Sequence, residues 1–266
     1  MQITRTDTLL DALDRFETYA YLDAPGFAFH GPMGAETLST LGHDDLVTDW
    51  VERYKARHQP LEAPPPLARI DPTDASAWHA AMGNVARVSD WEAMFTMVLA
   101  EEPWPAVLRR WMPVLLPGYA GALTHGLIRV GHAVRSLPAD GPAPAALLTE
   151  LARGLALWAA TFTALPGGPG LGGSLDLAAA VANLPRPHPQ WSVFEAGLFS
   201  RIGELDGFPS AVEALRTPEN FDHALSGLTA SFCRVLLEND EVFPLPLVHL
   251  VTPVGALRSL LPHLDG

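Results

Sequence analysis

Apolar residues recur at helical spacing along nearly the whole chain. No run sustains the period-two alternation of β-branched residues that marks a strand. The pattern predicts helices over 7–22, with Leu9, Leu10, Leu13, Phe16 and Ala20 on one stripe, over 32–41 and over 44–58. Pro32 suits the first turn of the second helix and Gly42 its C-terminal cap. Ser89-Asp90-Trp91-Glu92 has the spacing of a capping box, which predicts a helix over 90–101. A short proline-bounded helix over 105–116 and two long ones over 119–136 and 145–164 follow. Helices over 190–204, 207–216, 219–238 and 246–262 complete the set. APPPLARIDP, residues 63–72, must be extended, because positions before proline disfavour helix. LPGGPGLGG, residues 165–173, reads as a loop, and without a preceding strand or a GKS or GKT ending it is no phosphate cradle. No repeat or dividing linker is visible. The expected fold is all-α: a single multi-helix domain over 1–266, packed around a buried histidine-lined site.

Composition narrows the function. A chain of 266 residues folding as one domain buries about 75% of its unfolded surface, so its core needs no disulfide. Thirty acidic against 17 basic residues give a formal charge of −13, which repels phosphate backbones and argues against nucleic-acid binding. The N-terminal stretch is amphipathic and acidic, unlike a signal peptide, and no uncharged apolar run reaches the length of a membrane span. The single cysteine, Cys233, lies in an apolar run and reads as packing. A cytoplasmic protein without a membrane segment is expected.

Chemistry-bearing motifs are scarce, and the argument falls on ten histidines. His43, His58, His79, His188, His223 and His263 read as surface, loop or helix-end residues. His125 and His132 lie in LTHGLIRVGHAVR, seven residues and two turns apart on one face of a helix. Small neighbours, Gly126 and Gly131 among them, admit a close approach by another helix or a ligand. Helical rotamers favour a lean toward the N-terminus, so the pair is either a strained shared ligand set or two separately hydrogen-bonded rings. His30 stands before Gly-Pro at a helix entrance. His249 sits in the apolar stretch PLPLVHLVTPVGALR, where a buried ring must find a partner.

These residues carry a resemblance. HGPMGAETLSTLG at 30–42, W-V-x-x-Y at 50–54, PWPAVLRRWMPVLLPGYAGALTHGLIRVGHAVRSL at 103–137, LARGLALWAA at 151–160 and HLVTPVGALR at 249–258 together resemble the questin oxidase-like family, in order and over nearly the whole chain. The resemblance implies an oxidoreductase that opens aromatic polyketide rings with O₂ at a non-haem Fe(II) held by several histidines and a carboxylated lysine. Carried onto this chain, the histidine ligands are His30, His125, His132 and His249. The lysine has no counterpart after His249, since the sole lysine is Lys55. Water or a carboxylate such as Glu36 is expected in its place. A shortened C-terminal end would leave an apolar face for a second copy to cover, so homodimer formation is expected.

Within that reading Arg129 and Tyr119 are the candidate catalytic residues. Arg129 would neutralise a phenolate or quinone oxygen, or else form a buried salt bridge. Tyr119, Trp104, Trp111, Phe95 and Met97 would line a pocket for a flat, hydrophobic aromatic substrate, or simply form core. Two alternatives stand beside it. One is a non-catalytic helical binding protein for a hydrophobic metabolite. The other is an NADPH-dependent Baeyer–Villiger-type monooxygenase, although no GxGxxG follows a strand here.

Overall fold

The computed structural model describes residues 5–19, 21–23, 27–139, 141–167, 170–188, 201–241 and 243–264. Its architecture is all-α. Helix α1 (Arg5–Arg15) buries Leu9, Ala12 and Leu13, as its stripe predicts. It stops about two turns before the expected end. Phe16 packs edge-on against Phe29 with ring centroids 5.2 Å apart, and Tyr19 stacks on the same ring at 4.9 Å. That aromatic cluster turns the chain back into two short antiparallel strands, β1 (Leu22–Asp23) and β2 (Phe27–Ala28). Two residues per strand are too few to show alternation.

Helices α2 (Gly31–Thr40) and α3 (Asp44–Arg57) pack on α1 and on each other. Helix α4 (Ala75–Ala81), which periodicity does not predict, is started by Asp74, whose carboxylate accepts the N–H groups of Ser76 and Ala77. Helix α5 (Val88–Glu101) begins without the expected capping box. Ser89 donates instead to the Pro64 carbonyl at 2.5 Å, and Asp90 accepts the N–H groups of Leu67 and Ala68. The polar residues of that motif pin the proline-rich loop to the helix.

Then come α6 (Trp104–Leu115), α7 (His125–Ser136), α8 (Ala145–Ala160), α9 (Leu177–Ala182), α10 (Phe208–Glu213), α11 (Phe221–Glu238) and α12 (Pro244–Leu260). The helix predicted over 190–204 falls mostly outside the described residues, and Ile202–Glu204 is a 3₁₀ turn. The helix predicted over 119–136 starts only at His125, as α7, after a 3₁₀ turn at Gly121–Thr124; another 3₁₀ turn at Leu116–Gly118 precedes it. None of the described helices is long and apolar enough to cross a membrane.

Helix α8 is buried nearly all round, which fits its unbroken Leu, Ala and Trp content, and packs against α5 and α7. Helix α7 lies between α8 and α12. Its two glycines set both spacings. A Cβ on Gly126 would fall 2.5 Å from the Trp158 Cα, and one on Gly131 would fall 2.7 Å from the Ala256 Cα. Backbone-to-backbone contact on both sides therefore requires glycine at both positions, and on the α12 side it holds His249 against His125.

Between α7 and α8 runs a buried ion pair. Arg129 donates to Glu150 from Nε at 2.6 Å and from a terminal nitrogen at 2.8 Å, with its own side chain fully enclosed. Burial opposes the guanidinium charge, but Glu150 beside it outweighs that and holds its pKa above the ordinary value. Nearby, Glu92 on α5 accepts from Tyr21 and, at 3.1 Å, from Arg153.

Candidate metal centre

Three of the four matched histidines meet. His125 Nε2 is 2.8 Å from His30 Nε2 and 3.4 Å from His249 Nε2, with ring centroids 4.7 and 4.8 Å apart. His30 comes from the turn between β2 and α2, His125 from the first residue of α7, and His249 from α12. They lie 95 and 124 positions apart in sequence.

The protonation of these rings follows from their other nitrogens. His125 Nδ1 donates to the Ala122 carbonyl at 2.5 Å, and His249 Nδ1 donates to the Leu245 carbonyl at 2.7 Å. A neutral imidazole has one N–H, so both Nε2 atoms carry bare lone pairs and face each other. Burial, then the neighbouring His30, lowers the His125 pKa to about 4, so the ring is neutral at physiological pH. Burial of its inner edge, then His249, also lowers the His30 pKa, although the outer side of that residue is exposed.

Converging imidazole lone pairs repel unless a proton or a cation sits among them. Carbonyls that fix the opposite nitrogen are the usual support of histidine ligands. Among the described residues no group of three or more His, Cys, Asp and Glu side chains is arranged to hold a metal ion. The fit therefore rests on the donor chemistry: three imidazole Nε2 atoms, with two of the rings oriented from behind by carbonyls and the His30 side open, suit a borderline divalent cation.

The carbonyl behind His125 is held by unusual backbone. Ala122, Leu123 and Thr124 all have left-handed φ values, of 47°, 52° and 67°. Each such conformation costs a non-glycine residue about 1–2 kcal/mol, and such costs gather where a site needs a group placed. Here the left-handed turn replaces what would have been helix and aims the Ala122 oxygen at His125. In α12, Pro253 removes the N–H that would have bonded the His249 carbonyl four residues earlier, so the helix is also irregular beside this ligand.

His132 lies elsewhere, about 10.5 Å of helix rise beyond His125. Its Nδ1 is 2.7 Å from Glu36, which also binds Arg135 and Thr40 and is 3% exposed. Glu36, expected as a substitute ligand, is thereby the counter-ion of this separate cluster. Burial would raise its pKa, yet the hydrogen bonds from His132, Arg135 and Thr40 hold it at about 2 against an ordinary 4.5. A carboxyl with its folded pKa lowered stabilises above its unfolded value and loses that contribution as pH falls through the folded one. Glu36 should therefore add on the order of 3 kcal/mol at neutral pH, lost progressively between about pH 4.5 and 2. Thermal unfolding followed from pH 7 to pH 3 should show a flatter acid limb for Glu36→Gln than for the wild type. An identical acid limb would remove Glu36 from this role.

Among the described residues, neither candidate catalytic residue is hydrogen-bonded to or ring-stacked on the three histidines. Arg129 is spent on Glu150, because a charge enclosed between α7 and α8 must be paired. Tyr119 stands at the surface, 39% exposed, its backbone bridged to Thr163. Trp104, Trp111 and Phe95 are core residues, and Met97 lines a groove of about 410 Å³ with Pro66 to Ile70 that includes none of the histidines. Lys55 is on α3 and partly exposed. His58, a helix-end residue by its sequence, has Nδ1 2.5 Å from the buried carboxylate of Asp23, a partner that no sequence signal marks. No family model, no curated protein and no solved structure matches the chain.

Proposed function

We propose that the protein is an oxidoreductase acting with O₂ on a small hydrophobic aromatic or polyketide-like molecule, at a non-haem Fe(II) held by His30, His125 and His249. The observation that carries this reading is the meeting of three imidazoles at their Nε2 atoms, two of them bound through the opposite nitrogen to a backbone carbonyl. The family resemblance adds the reaction class. Bound there, iron would supply dioxygen chemistry that no protein side chain performs. The chain's own contribution is orientation: Ala122 and Leu245 fix two rings, Gly131 lets α12 close on α7, and the exposed side of His30 leaves an approach for the substrate.

The same reading takes the protein as soluble and cytoplasmic, independent of nucleic acid and membrane. It includes a homodimer. A metal-free helical binding protein is the second reading, favoured by the capture of His132 by Glu36. Metal analysis of protein purified without chelator or affinity tag separates them. Near-stoichiometric iron supports the first, and its absence from several preparations leaves the second.

A further inference from the structure

In a chain of net charge −13, two arginines share one carboxylate. Arg135, on α7, donates to Glu36 from Nε at 2.9 Å and again from a terminal nitrogen. Arg5, at the start of α1, donates to Thr40 Oγ1 at 2.6 Å and stands 3.6 Å from the same carboxylate. Glu36 does not need it. Arg135 and Thr40 already serve one of its oxygens, His132 and Arg135 the other, and 3.6 Å is outside hydrogen-bonding distance. Among the described residues neither arginine has a second carboxylate partner. Guanidinium groups keep their charge at every physiological pH, so two positive charges against one negative leave an excess. Each arginine also keeps a terminal nitrogen, Nη1, without a partner among the described residues.

Both arginines line one cavity of about 190 Å³, together with Thr6, Leu9, Ser136 and Leu147. The Thr6 hydroxyl has no partner among the described residues. The Ser136 hydroxyl donates to the His132 carbonyl at 3.3 Å, a long bond that a better acceptor can replace. These donors come from two helices, α1 and α7, and not from one planar fork. A carboxylate is satisfied by a single guanidinium, whereas a tetrahedral oxyanion offers acceptors in several directions. We propose that Arg5 and Arg135, with Thr6 and Ser136, bind a phosphate group, free or carried by a small phosphomonoester, at the junction of α1, α7 and α8. The site is separate from the histidine centre, because Arg135 lies about 15 Å of helix rise beyond His125. Bound there, a phosphate neutralises the excess charge and ties the start of α1 to the end of α7.

Isothermal titration calorimetry of the whole chain with inorganic phosphate, against sodium chloride of matched ionic strength, tests the site. Wild type should bind phosphate saturably, and its melting temperature should rise with phosphate but not with chloride. Arg5→Gln should weaken binding by about tenfold or more. Because Arg5 makes no hydrogen bond to Glu36, that variant keeps the Glu36 cluster and should fold as the wild type does. Thr6→Glu places a carboxylate in the cavity and should abolish binding while leaving both arginines in place. Arg15→Gln, on the same helix but paired with Asp11 and Glu52, should bind as the wild type does. Phenyl phosphate is the second probe: tighter binding than phosphate assigns the site to a phosphomonoester, weaker binding to the free ion. No saturable heat, an equal rise in melting temperature with chloride, or equal losses in Arg5→Gln and Arg15→Gln overturns the proposal. Binding that survives Arg5→Gln or Thr6→Glu also overturns it, since the phosphate then sits elsewhere, as on a metal at the histidine centre.

Discussion

Alanine at His125 is expected to strip the protein of iron. His125 is the middle member of the centre, in contact with His30 on one side and His249 on the other. Removing it takes away one donor and also the only ring that joins the other two. Loss of a supporting group alone typically weakens metal sites by about 10–100-fold, so loss of this ligand should exceed that. Alanine at His249 should have the same effect, and the double substitution should be little worse than either single one, since the donors act as one unit. His132→Ala should retain iron, because its partner is Glu36, and should lose stability instead. Lys55→Ala and His188→Ala should match the wild type. Metal content measured beside thermal unfolding separates ligand loss from unfolding. Full iron in a folded His125→Ala protein would place the centre elsewhere, and iron loss on Lys55→Ala would require a different path for α3.

The helical stripes made most of this fold legible, because burial of an amphipathic face is written directly in the spacing of apolar residues. What could not be read was backbone that local preference does not favour. Ala122, Leu123 and Thr124 are ordinary helix-compatible residues held at positive φ, and the turn they form packs against α12, which local preference cannot show. Gly121 sits so close to the Thr161 carbonyl that a Cβ would fall 1.8 Å from its oxygen. A continuous helix was therefore the natural expectation, and the break that orients His125 was invisible. The seven-residue spacing did contain the divergence of His132: two rings on one helical face two turns apart need opposite leans to meet. Here the second ring takes the carboxylate of α2. Asp23 and His58 were hidden for another reason. Their pairing depends on a two-residue strand returning against the end of α3, which no periodicity marks.

Arg129→Ala should be the most destabilising single substitution among the polar residues. The guanidinium is enclosed between α7 and α8 and makes two hydrogen bonds to Glu150, itself 7% exposed. Removing one partner of such a pair leaves the other charge buried, at a cost of about 3–5 kcal/mol, whereas replacing both with apolar groups is often neutral. Arg129→Ala should therefore lower the urea midpoint steeply. Arg129→Met combined with Glu150→Leu should recover most of the loss, since Glu92 keeps its own partners in Tyr21 and Arg153. Iron content of the double variant should equal that of the wild type, because neither residue touches the three imidazoles. The sequence offered two roles for this arginine, a counter-charge for a substrate oxygen and a buried salt bridge, and the enclosure of its side chain decides for the second. An Arg129→Ala protein with wild-type stability but no turnover would reverse that assignment and return the arginine to the chemistry.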